Sequence, residues 1–240
     1  FIYYSGTMIA SGKMQINNFF SFLTAMMLAY QPIRSLATIN MLFNQGAVGA
    51  NRVFKILDAE PSIKEIKSAP NLNMKKGNIK FEEVNFSYPK TQEQAIKNIN
   101  FSIDGGTTAA LVGHSGAGKS TIVNLLPRFY DPKKGSVSID NQDISKVTLS
   151  SLRKNISMVS QDVILFDDTV RANVAYANMN ASEEQIKKAC DFAAASEFIE
   201  KLPEKYETII GENGIKLSGG QKQRISIARA VLKNSPIMLL

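Results

Sequence analysis

Acidic residues are absent from the first 57 positions, which carry Lys13, Arg34, Arg52 and Lys55 for a local charge of +4. Cysteine and histidine are nearly absent too: Cys190 and His114 are the only ones in 240 residues. A single cysteine forms no intramolecular disulfide and stands in no metal-ligand spacing. A reduced, cytosolic setting fits, and Cys190 reads as a small apolar residue of a helix. The lone histidine lies in a glycine-rich loop, so neither a His-based triad nor a zinc site can be built from this chain alone. Concentrated positive charge is also lacking. Net charge is +7, but residues 58–77 contribute only +1 and the remaining 163 only +2. A nucleic-acid binder gathers its charge into one patch of a folded domain. Here the excess follows an apolar stretch, as at the cytoplasmic flank of a membrane segment.

No charge occurs between Met14 and Ile33. Twenty helical residues reach about 30 Å, the thickness of a bilayer core. Gln15, Asn17, Asn18 and Gln31 mark the ends of the run, and a buried helix of a soluble core is the alternative. Residues 1–10 are uncharged as well, and Ser11-Gly12-Lys13 reads as a tight connection between two spans. A secretory leader does not fit, because the stretch is long and no small-residue cleavage site follows. Apolar residues from Ile33 to Ile56 recur at three- and four-residue intervals. One helix, with its last span about 14–36 and a bend at Pro32, is therefore expected to continue to about residue 57.

A polar segment, 58–77, then marks a domain boundary. From Asn78 onward short strands are expected at Ile79–Phe81, Val84–Phe86, Ile99–Ile103, Thr108–Val112, Val137–Ile139, Ile156–Val159 and Ile237–Leu240. Helices are expected at about Lys119–Leu126 and Ser150–Asn155, after the capping box Ser182–Gln185, and from about Gly220 to Leu232. That alternation gives an α/β fold interrupted by a helical insertion. The first residue is Phe1 and the last five are an unpunctuated apolar run, so both ends read as cuts.

Two motifs carry chemistry. Gly113, His114, Ser115, Gly116, Ala117, Gly118, Lys119 and Ser120 fit the P-loop pattern G-x-x-x-x-G-K-[ST], between an expected strand and an expected helix that continues through Thr121. Glycines let backbone N–H groups turn toward phosphate oxygens, Lys119 would reach the β- and γ-phosphates of ATP, and the Ser120 hydroxyl would ligate Mg²⁺. About a hundred residues later, Leu217 precedes Ser218, Gly219, Gly220 and Gln221 at the start of another helix, a second anion-accepting N-terminus. Alone, Ser-Gly-Gly is ordinary turn chemistry; after a P-loop it is a strong signal.

These motifs and their spacing resemble the nucleotide-binding domain of ABC transporters, continuously from Asn78 to Leu240, with Leu217–Gln221 as the signature motif. The resemblance implies an α/β P-loop ABC nucleotide-binding domain with a helical subdomain, preceded by the end of an all-α transmembrane domain. It implies that Tyr88 stacks on adenine, and that Gln161 helps hold Mg²⁺ and senses the γ-phosphate. It further implies that the loop Thr208–Gly214, with Glu212, meets the membrane domain. Singly, each has a plainer alternative: a strand-end aromatic, a solvated loop glutamine and a surface charge. Two such domains in the family sandwich ATP head to tail, so Ser218 and Gly220 would act in trans on nucleotide held by the partner's Lys119. Pro236–Leu240 resembles the Walker B strand. The metal-ordering Asp and the general-base Glu that follow it in the family, and the switch histidine, do not occur in these 240 residues, so this piece itself is expected to bind ATP weakly and hydrolyse almost none.

Residues 1–57 resemble the last membrane helix of homodimeric bacterial lipid and multidrug exporters, including lipid A flippases. The implied function is ATP-driven export of an amphiphilic, lipid-like or drug-like substrate across the bacterial inner membrane. The implied protein is a homodimer among membrane lipids with its ATP-binding domain in the cytoplasm, and no nucleic acid. Lipid A flippases often carry a basic residue just before the proline, where this sequence has Gln31. Arg34 is the candidate substrate contact; it follows the Pro32 bend and lies on one face with Tyr30 and Gln31, although a cation there also reaches lipid phosphates by snorkelling. Two other classes remain open on sequence alone: a soluble ABC-type ATPase acting on nucleic acid or ribosomes, and a non-transporting regulator on the same scaffold.

Overall fold

The computed structural model describes residues 2–89, 91 and 93–240, the side chain of Ala37 excepted. The chain divides after Pro61 into two compact units.

The first unit is two helices, α1 (Ile2–Ala10) and α2 (Ile16–Leu57). A tight turn joins them, with Gly12 at φ 74°, a left-handed conformation that glycine adopts freely. Pro32 lies inside the 42-residue α2 without ending it. The hydroxyls of Thr24, Ser35 and Thr38 donate to the carbonyls of Phe20, Gln31 and Arg34, one turn back, at 2.8–3.1 Å. Polar side chains on an apolar helix thereby satisfy themselves locally. At about 63 Å α2 is long enough to span a bilayer. Even so, no helix among the described residues is both long and apolar enough to cross a membrane. The span expected over about 14–36 is thus not carried by hydropathy, because Asn17, Asn18, Gln31 and Arg34 dilute its large apolar residues.

The second unit runs β1 (Ile79–Phe86), β2 (Ile96–Ile103), α3 (Lys119–Leu125), β3 (Lys134–Ile139), β4 (Gln142–Asp143), α4 (Leu149–Lys154), β5 (Ile156–Met158), α5 (Val170–Ala175), α6 (Glu183–Phe192), α7 (Ser196–Ile199), α8 (Gly219–Lys233) and β6 (Ile237–Leu239). An antiparallel sheet has the order β2-β1-β3-β4, and β5 pairs in parallel with β6. β1 buries Ile79 and Phe81 and, after a register shift, Val84 and Phe86, and Phe81 stacks on its cross-strand partner Phe101 at 4.6 Å. They form a first core with Leu125, Ile139 and Leu152. A second core gathers Val170, Val174, Ile186, Ile199, Ile225 and Ala228 from α5–α8. Cys190 lies there fully buried, and burial pushes its thiol up to about 12, which suits a packing residue rather than a reactive one. The expected capping box forms, with Gln185 N–H donating to Ser182 and Ser182 N–H to Gln185.

One expected strand does not form. Residues 108–112 have no strand geometry, and Val112 is 93% exposed. A strand needs a ladder partner, and β5 and β6, the parallel pair, take each other.

Residues 73–78 dock on the β3–β4 hairpin, and Leu72 joins the first core. Asp140 and Asn141 form the two-residue turn at φ 49° and 61°, the doubly left-handed geometry that suits strand twist and that Asp and Asn tolerate. The Asp140 carboxylate accepts the backbone N–H groups of Lys75, Lys76, Gly77 and Asn78 at 2.7–3.1 Å. Partial burial pushes its pKa up, but the N–H bonds together outweigh that and hold it below the ordinary Asp range. The stabilisation is therefore present above the unfolded Asp pKa and is lost as pH falls through the depressed folded value. Asp140→Asn should cost about 1 kcal/mol in urea unfolding at pH 7. The difference from wild type should shrink as pH drops through the acid range.

Candidate nucleotide-binding site

The expected P-loop is a solvent-facing turn between residues 113 and 118 that delivers the chain into α3. Gly116 and Gly118 have φ of 83° and 86°, and a Cβ on Gly118 would lie 2.8 Å from the Ala95 carbonyl oxygen. Only glycine allows that approach to the entrance of β2. Ala117 N–H donates to the His114 carbonyl at 3.1 Å, closing the turn. The Lys119 ammonium donates to the carbonyls of Gly113 and His114, both at 2.8 Å. It is thus drawn into the loop with one of its three donors uncommitted. Ser115, Gly116, Ala117 and Ser120 are exposed, while Thr121 is buried.

Tyr88 is brought to the first turn of α3, its hydroxyl 3.0 Å from Thr121 Oγ1. Its ring meets Phe86 and Tyr130 edge-on at 4.9 and 5.2 Å. The side chain expected to stack on adenine therefore stands against the P-loop helix, packed among other aromatics.

Gln161 is exposed in the loop that follows β5. Val159 N–H donates to the Leu239 carbonyl at 2.8 Å, so this loop leaves the carboxyl end of the parallel β5–β6 pair, the edge where α/β sheets place their ligands. The Thr208–Gly214 loop is tied to the same stretch of chain. Val170 N–H donates to the Thr208 carbonyl, Ile210 N–H to the Asp168 carbonyl, and buried Gly214 packs against Leu165. Glu212 is exposed on that loop.

At the other motif Ser218 is the N-cap of α8. Gln221 N–H donates to Ser218 Oγ and Ser218 N–H to Gln221 Oε1, a second capping box readable in S-x-x-Q but masked by its glycines. A Cβ on Gly219 or Gly220 would meet nothing within 4 Å. Among the described residues nothing requires glycine there, and alanine would suit the helix better. Phe198, Lys201 and Arg224 close an open concavity of about 340 Å³ around Ser218 and Gly220. No hydrogen bond, ion pair or ring contact among the described residues joins this surface to the P-loop. Arg34, the remaining expected site residue, is exposed on α2 with Tyr30, Gln31, Ser35 and Thr38 along an open concavity of about 390 Å³.

Sequence reasoning missed Asn173 and Arg229. Asn173 is fully buried in α5 and bonded to the Arg229 guanidinium. A polar residue in a short helix gives no signal of its partner 56 positions away.

An α/β unit with a P-loop, a glutamine loop at the carboxyl end of β5 and a capped Ser-Gly-Gly helix, in that chain order, has the fold of an ABC nucleotide-binding domain. The N-terminal helices are consistent with the end of a transmembrane domain. The chain belongs to the ABC transporter family, whose profile matches residues 96–240. It is 47% identical over 239 residues to an ATP-dependent lipid A-core flippase of Syntrophus aciditrophicus, covering 100% of this chain and 39% of that protein. It is 44% identical over 234 residues to the protein of the same name from Haemophilus influenzae, covering 97% and 40%. The structure of a bacterial Atm1-family ABC exporter with ATP bound superposes with a TM-score of 0.81 at 39% identity, over 90% of this chain and 38% of that one. The chain spans about two fifths of the length of the curated relatives it matches.

Proposed function

We propose that this chain is the ATP-binding part, with the adjoining membrane-domain helix, of an exporter in the bacterial inner membrane that uses ATP to move an amphiphilic, lipid-like substrate out of the cytoplasm. Support comes from the names of its relatives at 42–47% identity and from its likeness to an exporter that holds ATP. One observation carries the reading. A single chain holds an open phosphate cradle at 113–121 and a glycine-bared helix N-terminus at 218–221, with no bond joining them. A second copy, arranged head to tail, supplies each with its counterpart.

In that dimer Lys119 exchanges its loop carbonyls for β- and γ-phosphate oxygens, and Tyr88 lies at the adenine edge of the cradle. Ser218 and the N–H groups at Gly219 and Gly220 reach phosphate across the interface. Among the described residues no group of three or more His, Cys, Asp or Glu side chains is placed to hold a metal ion. The Ser120 hydroxyl and Gln161 amide oxygen are the neutral donors that would hold Mg²⁺ together with the phosphates. When bound, Mg²⁺-ATP supplies the phosphoryl group passed to water; the chain's own part is to position it and balance its charge.

The substrate contact is Arg34, on the polar face it shares with Tyr30 and Gln31. The test is ATP turnover by the full-length protein in proteoliposomes, titrated with an anionic amphiphile. Wild type should turn over ATP and respond to the amphiphile, whereas Arg34→Ala should need about tenfold more for half-stimulation. Arg34→Lys recovers most of the response if charge suffices, and little if a bidentate phosphate contact is needed. Full stimulation of Arg34→Ala assigns Arg34 to lipid phosphates instead. A wild type without turnover removes the functional reading altogether.

A further inference from the structure

Gln161 sits in the exposed triplet Ser160–Asp162, where the chain passes from one hydrophobic core to the other: Ile156 lies in the first, Leu165 in the second. Nothing within the triplet fixes it except Ser160 Oγ, which donates to the Asp162 carbonyl. What holds its two ends is therefore what sets its place. α8, the helix whose first turn carries the Ser-Gly-Gly motif, grips both flanks, and on the upstream side β6 does so as well, through Val159 N–H donating to the Leu239 carbonyl at 2.8 Å.

On the upstream side, the Lys233 ammonium donates to the carbonyls of Arg153 and Ile156 at 2.7 and 2.6 Å. On the downstream side, the Arg229 guanidinium donates from one terminal nitrogen to the Ile164 carbonyl at 3.1 Å. Its other nitrogens donate to the carbonyl and the Oδ1 of Asn173 at 2.9 and 3.1 Å. Asn173 in turn accepts from Phe166 N–H at 2.8 Å and donates to the carbonyls of Phe166 and Thr169, both at 3.0 Å. The guanidinium also lies over the rings of Phe166 and Tyr176, at 5.8 and 5.7 Å. Residues 229 and 233 are one helical turn apart and share a face of α8.

We infer that Arg229 and Lys233 are positioning residues which, by gripping the chain on either side of Gln161 from one helix, make the place of Gln161 follow the orientation of the Ser218-bearing helix. The inference rests on the ATPase reading above. A tilt of α8 when its N-terminus engages phosphate is carried into Ile164 on one side and into Ile156 on the other, while β6 steadies Val159, so the triplet is drawn chiefly from its downstream side. A network whose members are all satisfied has the stiffness this requires. Lysine at 229 cannot reproduce three directed donors to two residues, whereas arginine's planar fork can.

The test is a double-mutant cycle in the full-length protein, with ATP turnover, ATP titration and thermal unfolding measured on each variant. Arg229→Ala should lower kcat about tenfold while shifting KM for ATP by less than about twofold. In a Gln161→Ala background, where nothing is left to position, the same substitution should lower kcat no further. Arg229→Lys should fall between wild type and Arg229→Ala. If Arg229→Ala does not fold, Lys233→Met, which removes only the upstream grip, enters the same cycle with the same expectation. Equal losses in the wild-type and Gln161→Ala backgrounds, or a raised KM with kcat intact, overturn the inference. Absent turnover in wild type would instead condemn the ATPase reading on which it rests.

Discussion

Replacing Lys119 with alanine should weaken ATP binding by about ten- to a hundredfold, the loss expected when a charge-assisted hydrogen bond to an anion disappears. The side chain has two roles. Its ammonium ties the Gly113 and His114 carbonyls together, and it brings a positive charge into a turn whose other polar groups are backbone amides, hydroxyls and the His114 imidazole. Alanine removes both. Stability should change little, because residues 113–117 are exposed and the ammonium bonds only to loop carbonyls among the described residues. Arginine at 119 keeps the charge but puts a bulkier planar fork in place of a compact ammonium within a tight turn, so it should rescue poorly. Equilibrium titration with a fluorescent ATP analogue, alongside a thermal melt, checks both expectations.

Ser218→Arg should leave ATP affinity of a single chain within about twofold of wild type, yet lower turnover by about a hundredfold or more, the scale on which a removed oxyanion donor is felt. No bond among the described residues connects Ser218 to the P-loop, so a substitution there should not reach nucleotide bound in the same copy. Arginine would fill the concavity beside Lys201 and Arg224 and cover the N–H groups that the two glycines leave bare. Loss of the N-cap should add about 1 kcal/mol of destabilisation. That is small enough for folding to survive and for a melt to report separately. A matching collapse of single-chain ATP affinity would place Ser218 in the same site as Lys119.

What the sequence made legible was local. The P-loop follows from glycine, lysine and hydroxyl at fixed offsets, and the box at Ser182 from two side chains three residues apart. The length of α2 was readable from three- and four-residue periodicity, which survives Pro32 because the helix does. Long-range partnership was not legible. Thr108–Val112 has strand composition, but composition names no partner. Leu72 and residues 73–77 read as part of a polar linker, because their hold on the fold comes from Ser151, Gln142 and Asp140, more than sixty positions later. Arg229 had no reading of its own in the sequence; only the fold brings the Ile164 carbonyl and buried Asn173 to it. The span expected over about 14–36 was read from missing charge, whereas no helix among the described residues is both long and apolar enough to cross a membrane.

The claim on which the account turns is that the cradle of one copy is completed by Ser218–Gln221 of another. Mixing full-length Lys119→Ala and Ser218→Arg proteins tests it most directly, with ATP turnover read against each variant alone. A mixed dimer pairs the intact P-loop of one chain with the intact Ser-Gly-Gly helix of the other at one interface, and two damaged surfaces at the other. Random assortment should then restore up to about a quarter of the wild-type sites from two nearly inactive parents. Turnover in the mixture no greater than the average of the two parents would contradict the account.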